Sequence, residues 1–440
     1  MKLENIIQNK YYSSIMLFNI LAYAFIDIQF HRVGSIFLAF IIIGTIPILI
    51  FHRKKILRNY IFIIFILILL LEVASWINSL IYLSEYAHDT PRLDRLGKLF
   101  IFFFISYWLQ GSRNNVIALW SAFALGFLFT VITNIDINTL INFSTTLHRA
   151  NFQIKNSQWD SMLSATSLIV SFFIFYITSK SSTNIKIKIP LLLTISIFIL
   201  IFSYFVLITQ SRQVWLALIA VVFMGPIIYI AIQKTINIKI IIFISIVIVG
   251  LFFILSNSKI IQKRVSTDQK TISKILKDNK DIEMSSIGIR VNSWLEAKEW
   301  IIRHPFIGLD SSAIAEVIQQ SKIFNENMKK QFGHLHNFFI ETLVAFGILG
   351  LLLIISVYYL VIKSIWHSSL PEGRKKEYVF FAIIFTLFWF IINNFESFNS
   401  RTIGIFTHNI ILASFYTFYF TNSLKENEKE NENENENENN

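Results

Sequence analysis

Residues Tyr60–Tyr82 read YIFIIFILILLLEVASWINSLIY, an apolar stretch in which Glu72 is the only charged residue. A run of this length is sufficient for a helix to cross the hydrocarbon core of a bilayer. Backbone polar groups that face lipid must find partners within their own segment, so the stretch is predicted to be an α-helix. Similar stretches, one of them short, occur along the rest of the chain: Ser13–Phe30, Val33–Phe51, Leu99–Gln110 (the short one), Val116–Ile135, Ser161–Thr178, Ile189–Thr209, Val214–Ile232, Ile238–Leu255, Phe338–Ile362, Tyr378–Ile392 and Ile403–Phe420.

The composition favours a membrane protein over a soluble one. Of the 440 residues, 54% are hydrophobic and 15% are charged, whereas a soluble domain is about a quarter charged. The mean hydropathy is +0.57. The predicted fold class is therefore all-α, a polytopic membrane protein with about 12 transmembrane helices and one large periplasmic loop.

The charge and the cysteine count exclude several other classes. The net charge of +11 does not indicate nucleic-acid binding, because most Lys and Arg residues lie in short tracts between apolar stretches. The chain has no cysteine, which excludes disulfides, thiolate nucleophiles and zinc–thiolate sites. No small-residue cleavage site follows the first apolar stretch, so we expect a retained transmembrane helix rather than a cleaved signal peptide.

The basic tracts predict the orientation of the chain in the membrane. Positive residues follow even-numbered stretches, which places those loops and both termini in the cytoplasm. These residues are Arg53, Lys54, Lys55, Arg58, Lys180, Lys186, Lys188, Lys234, Lys239, Lys363, Arg374, Lys375 and Lys376. The long hydrophilic segment before the tenth stretch then lies outside the cytoplasm, because long loops translocate largely regardless of their charge.

Four parts are predicted along the chain. Residues 1–256 contain transmembrane helices one to nine, and residues 257–335 form a periplasmic loop with amphipathic helices. Residues 336–421 contain helices ten to twelve. Residues 422–440 end in an Asn–Glu repeat with nothing apolar to bury, so this cytoplasmic tail is predicted to be disordered and without function.

Two clusters on the outward side contain arginine. The segment Thr209–Gln213 forms the tight turn between the seventh and eighth stretches, and its Arg212 either reaches lipid headgroups or has a functional partner. Arg290 begins a predicted amphipathic helix, which Pro305 and Gly308 end. This helix could simply lie on the membrane surface. Alternatively, the Arg290 guanidinium is a forked, permanently charged donor suited to phosphate oxygens.

A third cluster, His334–Asn337, lies where the long loop meets the tenth stretch. A histidine at a water–lipid boundary can act as a general base, although a structural role is also possible. Asn337 is a suitable helix N-cap, and Glu341 lies one turn later on the same face. Gly347 and Gly350 would allow a close helix approach. Two histidines two residues apart also suggest a metal site, but the sequence offers no clear third ligand, and we expect none.

Together these residues resemble the O-antigen ligase family and its relatives, the Wzy-type O-antigen polymerases. The resemblance is carried by three family motifs, and it extends by motif from Ile189 to Gly350. The motifs are His-Asn, nine residues and Gly-x-x-Gly (His336, Asn337, Gly347, Gly350), T-x-S-R-x-x-W (Thr209, Ser211, Arg212, Trp215), and R-x-x-x-W…H-P-x-x-G (Arg290, Trp294, His304, Pro305, Gly308). Gln213 and Leu351 depart from the residues common at their positions.

The resemblance implies an inverting glycosyltransferase that needs neither cofactor nor metal. Its donor would be a glycan on undecaprenyl pyrophosphate, and its acceptor a sugar hydroxyl of the lipid A–core in lipopolysaccharide biosynthesis. It would work in the cell inner membrane, surrounded by lipids, with its active site facing the periplasm. His336 would be the catalytic base, supported by Asn337, Glu341, Gly347 and Gly350. The pyrophosphate would be bound by Arg212 and Arg290, with Arg95 and Arg149 as further candidates.

The motif selects His336 over His334 as the base. Residues two apart do not share a helical face, so only one of the two is expected to point into a cavity with Arg212 and Arg290.

Other functions remain open at this stage. A Wzy-type polymerase would use the same fold and donor with a second lipid-linked glycan as acceptor, and a protein O-glycosylating transferase would use a protein. Twelve helices with cytoplasmic termini also fit a polysaccharide transporter or flippase. Transporters, however, place ionisable residues near the middle of the membrane, whereas the residues singled out here lie at its outer boundary.

Overall fold

The computed structural model describes residues 9–146, 148–234 and 285–438. Within these ranges the chain forms helices and no β-strand, so the prediction of an all-α protein is confirmed. Two 3₁₀ helices cover Lys98–Phe100 and Phe398–Ser400. The α-helices are α1 (Lys10–Ile26), α2 (His31–Phe51), α3 (Arg53–Ile56), α4 (Tyr60–Tyr82), α5 (Asp94–Gly97), α6 (Ile101–Trp108), α7 (Arg113–Asn134), α8 (Ile137–Thr146), α9 (Ser157–Ser179), α10 (Ile185–Ile208), α11 (Arg212–Gln233), α12 (Ser286–Arg303), α13 (Ser312–Gln319), α14 (Glu326–Gln331), α15 (Phe338–Trp366), α16 (Glu372–Asn393) and α17 (Thr402–Glu438).

Among the described residues, nine helices are long and apolar enough to cross a membrane: α2, α4, α7, α9, α10, α11, α15, α16 and the Thr402–Leu424 part of α17. Helix α1, with 17 residues, is slightly shorter. The predicted ninth span, Ile238–Leu255, and residues 257–284 of the predicted loop lie outside the described residues. The molecule is a polytopic all-α membrane protein, and the count of twelve spans stays a prediction.

The predicted fourth span, Leu99–Gln110, is not a continuous membrane-crossing helix. The chain passes from α5 through a 3₁₀ turn into the eight-residue α6. Side chains of α17 supply partners for the backbone at this break: Asn409 Oδ1 accepts from Phe102 N at 2.7 Å, and His408 Nε2 lies 3.0 Å from Leu99 O. An irregular backbone is tolerated at membrane depth when it is buried against protein in this way.

The spanning helices differ in how much of their surface other helices cover. In the apolar window of α17, 83% of residues are buried, and in that of α9, 78%, compared with 11% for α11. Helices α9 and α17 are therefore central. The outer surfaces of α10 and α11 expose large apolar residues such as Leu193, Leu200 and Ile227, as expected for helices that face lipid.

Asparagine begins many of these helices. Its side-chain oxygen accepts hydrogen bonds from first-turn backbone N–H groups that have no partner within the helix. The caps of this kind are Asn9, Asn59, Asn156, Asn184, Asn325 and Asn337. The predicted capping role of Asn337 is therefore confirmed.

Helix α15 is interrupted at Gly347, whose φ of 61° and ψ of −165° are not helical. The segment Pro305–Asp310 packs into the break: Ile348 N donates to Pro305 O at 2.8 Å, and Asp310 N donates to Ala345 O at 2.9 Å. Gly308 also has a positive φ, and a Cβ at either glycine would lie 2.3 Å from the backbone of the other segment. The close approach predicted at Gly347 is therefore made by a loop rather than by a second helix, because the helix is broken there.

At Gly350 the tight contact lies within α15 itself, where a Cβ would lie 2.5 Å from Phe346 Cβ. At the other end of the chain, the backbone of α17 continues as helix to Glu438, into the tail that the sequence predicts to be disordered. Elongating an existing helix is easier than nucleating one, and Glu is a good helix former. That the tail has no function stays a prediction.

Candidate active site

Two histidines and a glutamate meet beside the N-terminus of α15. His336 Nδ1 lies 3.1 Å from Glu396 Oε2, and His334 Nε2 lies 3.4 Å from Glu396 Oε1. Glu396, between α16 and the second 3₁₀ helix, has a side chain only 5% exposed. Burial raises the pKa of the Glu396 carboxyl, but hydrogen bonds from His334 and His336 outweigh it and bring this pKa below its usual range. The two histidines thus face the negative charge of the Glu396 carboxylate.

The assumption that their spacing separates the two histidine rings is wrong, whereas which of them shares a cavity with Arg212 and Arg290 stays a prediction. Their ring centroids are 4.0 Å apart, and both rings contact the same carboxylate. The expectation assumed helical geometry, whereas residues 332–337 precede α15 and are not helical. In backbone that is not helical, a spacing of two does not place the side chains on different faces.

The backbone around His336 is held from both sides. Trp294 Nε1 donates to Leu335 O at 2.9 Å, and Leu335 N donates to Glu341 Oε1 at 3.1 Å. His336 itself has a φ of 53°, in the left-handed region, which costs roughly 1–2 kcal/mol for a residue with a side chain. Such strain persists where the surroundings fix the backbone. The direction of the His336 ring is therefore set by its neighbours.

Gln158, at the start of α9, connects this cluster to Arg290. With its amide in the orientation that satisfies both neighbours, Gln158 Oε1 accepts from Arg290 Nη2 at 3.0 Å and Nε2 donates to Glu396 Oε2 at 2.5 Å. Arg290 Nε also donates to Phe395 O at 3.1 Å. Burial lowers the pKa of Arg290; the Glu396 carboxylate opposes this, and the Arg212 charge adds to it. The structure therefore brings Arg290, Arg212 and Glu396 into one electrostatic neighbourhood.

The Thr209–Gln213 turn is held by side-chain hydrogen bonds to the backbone. Arg212 is the first residue of α11, and Trp215 Nε1 reaches back to Val206 O of α10 at 3.1 Å. Arg149 lies against the turn, its Nε donating to Thr209 O at 2.9 Å. Arg149 thus contacts the turn that contains Arg212, and both are predicted to bind pyrophosphate. That role itself stays a prediction.

Arg95 occupies a different position. Its Nη2 pairs with Glu341 Oε2 at 2.9 Å, and the Glu341 side chain is 2% exposed. Glu341 also accepts from Ser397 Oγ at 2.6 Å and Ser400 Oγ at 3.2 Å. Glu341 therefore contacts Arg95, the histidine segment and the segment that contains Glu396. These contacts are consistent with its predicted supporting role, which stays a prediction. For Arg95, positioning of Glu341 is the function that this contact supports.

Sequence reasoning missed Glu396 and Gln158. Glu396 lies in the run Asn393–Ser400 (NNFESFNS), directly after the eleventh predicted span. An acidic residue in a short polar turn at the end of a span was a usable signal. No feature of the sequence singles out Gln158, because an uncharged polar residue at the start of a helix is common.

The cluster could also hold a metal ion. His334, His336 and Glu396 each offer one ligand atom, and these atoms lie within 4.8 Å of one another. Glu396 supplies the third ligand that the sequence did not reveal. Two imidazoles and a carboxylate are a donor set that Zn²⁺ accepts.

The fold and this cluster define a polytopic membrane protein with a charged site at the ends of its helices. Residues 197–355 match the family model described as O-antigen ligase. The matched segment contains all three motifs, so the resemblance that they predict is confirmed. The match supports a function of the O-antigen ligase or polymerase type, with glycosyltransferase-like chemistry. No curated protein matches the chain.

Proposed function

We propose that this protein is an O-antigen ligase. It transfers a glycan from undecaprenyl pyrophosphate to a sugar hydroxyl of the lipid A–core, at the periplasmic face of the inner membrane, by an inverting and metal-independent reaction. The observation that carries this proposal is the His336–Glu396 pair, which Gln158 links to Arg290.

His336 acts as the general base. Its Nδ1 faces Glu396 at 3.1 Å, so a proton on Nδ1 is donated to the carboxylate and the lone pair of Nε2 is left for the acceptor. Nε2 takes the proton of the sugar hydroxyl as the oxygen bonds to the anomeric carbon of the donor. Glu396 fixes the tautomer and stabilises the imidazolium that forms, as a buried carboxylate does in a catalytic triad.

Arg212 and Arg290 stabilise the leaving group. As the bond between the anomeric carbon and the pyrophosphate oxygen breaks, negative charge grows on that oxygen, and fixed guanidinium groups lower the barrier. The contacts of Arg290 with Phe395 O and Gln158 keep its charge in place before the reaction begins. The pyrophosphate linkage already activates the sugar, so ATP is not consumed.

A Wzy-type polymerase is the alternative with the same donor chemistry. The His336–Glu396 pair would serve either reaction, since both deprotonate a sugar hydroxyl. The compact His-Asn…Gly-x-x-Gly pattern favours the ligase. A protein-glycosylating transferase would differ by leaving the glycan on protein.

The lipopolysaccharide ladder of a deletion strain tests the proposal. We expect smooth lipopolysaccharide to disappear while long lipid-linked polymer accumulates. A core that carries a single repeat unit would instead identify a polymerase, and an unchanged ladder would contradict both.

A further inference from the structure

A cavity of about 690 Å³ lies at the other end of the helices from the histidine cluster. It is lined by the beginnings of α7, α10 and α16 and by the end of α9. The opposite ends of these helices approach the candidate active site: Gln158 lies at the start of α9, α10 ends at the turn that contains Arg212, and α16 ends just before Glu396. Each of these helices has 22 to 24 residues. At 1.5 Å per residue, the outer end of the cavity is therefore about 30 Å from the histidine cluster.

The positions that line this cavity follow one face of each helix. On α7 they include residues four apart, which lie above one another on a helix: Arg113, Ile117, Ser121 and Leu125. On α10 the spacing is of the same kind: Leu191, Thr194, Ile195 and Phe198. Helix α9 packs against both α7 and α10 and closes the space at the back. The cavity is therefore a groove that runs along the helices.

The groove has the depth of one bilayer leaflet and opens toward lipid. From Arg113 to Leu125 the axis of α7 rises by about 18 Å, and half of the hydrocarbon core of a bilayer is about 15 Å thick. Leu125 and Leu191, on the two sides of the groove, are exposed. Water is not available at this depth of a membrane. An open groove of this kind is therefore filled by a lipid chain.

The outer end of the groove is basic. Arg113 and Arg374 line it, and none of the described residues that line it is acidic. Arg113 Nη2 donates to Ile177 O at 2.7 Å, which holds this guanidinium at the end of α9. Glu377, three residues after Arg374, pairs with Lys180 at 2.9 Å. In the part of the chain that the structure describes, neither arginine has an ion-pair partner, so both guanidinium groups are left for an anion.

We propose that this groove binds one phospholipid with an anionic headgroup. Its phosphate lies beside Arg113 and Arg374, and one acyl chain runs between α7 and α10 toward Phe198. Guanidinium forks suit phosphate oxygens, whereas the ammonium of a zwitterionic headgroup would find no carboxylate in the groove. The orientation predicted from the basic tracts places this end in the cytoplasmic leaflet, which carries anionic lipids.

This lipid is distinct from the donor of the proposed reaction, whose pyrophosphate is assigned to Arg212 and Arg290 at the other end of the helices. The proposal therefore does not rest on the proposed function. It would hold for a membrane protein of any activity that has this groove.

The test is native mass spectrometry of the purified full chain, titrated in detergent with phosphatidylglycerol or with phosphatidylethanolamine. The wild type should bind its first phosphatidylglycerol at least about tenfold more tightly than phosphatidylethanolamine. The double substitution Arg113→Gln with Arg374→Gln should remove this difference. Arg374→Gln alone leaves the Arg113 contact with Ile177 intact and should remove part of it, and Arg374→Lys should retain most of it. The matched control is Arg58→Gln, an exposed arginine before α4 that does not line the groove and should change nothing.

A second pair of variants separates binding in the groove from attraction of headgroups to a basic surface. Thr194→Trp fills the groove from α10 without changing its charge, and should weaken phosphatidylglycerol binding about as much as the double arginine variant does. Leu193→Trp is the control, because Leu193 is exposed on α10 and does not line the groove. Equal affinity of the wild type for the two lipids, or unchanged binding in the double arginine variant, overturns the proposal. Unchanged binding in Thr194→Trp also overturns it, since the lipid would then lie outside the groove.

Discussion

His336 contacts Glu396, which lies 60 residues later in the chain. The sequence predicted the first of these residues but not the second. The motif indicated His336, and the cap at Asn337 followed from residue type alone. Glu396 could not be inferred as its partner, because only the packing of α15 against α16 and α17 brings the two together. The orientation of both histidines depended on backbone that is not helical, and no sequence period encodes that.

The assignment of the base predicts unequal effects for the two histidines. His336→Ala should reduce transfer by about 10²- to 10⁴-fold, the usual contribution of a general base, without preventing donor binding. His334→Ala should do markedly less, because Glu396 can still orient His336. Steady-state transfer and donor binding by the purified variants are the measurements.

Glu396→Gln sharpens this comparison. It preserves the shape of the side chain but removes its charge, so transfer should slow in the wild-type background and hardly change further in the His336→Ala background. An active His336→Ala variant together with an inactive His334→Ala variant would show that the base is misassigned.

The leaving-group role predicts coupled arginine effects. Arg212→Ala and Arg290→Ala should each lower transfer by about 10²- to 10³-fold, as the loss of one electrostatic donor does. Arg212→Lys should rescue poorly because the planar fork is lost. The double variant should lose less than the product of the two effects, since both groups act on one pyrophosphate. Wild-type activity in Arg212→Ala, with normal insertion, would remove Arg212 from the site.

At the scale of elements, the apolar stretches predicted most helices and their approximate ends. The sequence could not reveal two features that depend on tertiary contacts. The fourth stretch is broken where His408 and Asn409 of α17 satisfy its backbone. Helix α15 is broken where the segment after His304 packs against Gly347. Gly308 and Gly347, which belong to different motifs, thus lie at the same contact. Their spacing in the sequence does not indicate this.

This contact predicts that Gly347→Ala is strongly destabilising. A Cβ there would meet Phe306 backbone atoms at 2.3 Å, and the positive φ alone costs about 1–2 kcal/mol. The unfolding temperature in detergent should fall and transfer should be lost, because the same contact positions α12 with Arg290. Gly373→Ala is the control, since nothing lies within 4 Å of a Cβ at that glycine. Equal unfolding temperatures for the two variants would show that the break is not required.

For the whole molecule, the orientation in the membrane stays a prediction of the basic tracts. The chain has no cysteine, so single cysteines can be introduced without background. A membrane-impermeant thiol reagent should label Gly333→Cys from the periplasmic side and should label Gly373→Cys only after lysis. Both glycines are exposed with open space around them, which makes the pair matched. The reverse pattern would place the site in the cytoplasm.

The measurement that tests the central claim most directly is glycan transfer by the purified protein. The assay contains an undecaprenyl-pyrophosphate-linked glycan, lipid A–core and excess EDTA, without ATP or a membrane potential. We expect lipid A–core that carries the glycan with inverted anomeric configuration, and release of undecaprenyl pyrophosphate, with His336→Ala as the inactive control. Lengthening of the lipid-linked glycan instead, or no transfer by intact protein, would contradict the ligase assignment. Loss of activity in EDTA with recovery on adding a divalent ion would show that His334, His336 and Glu396 hold a metal.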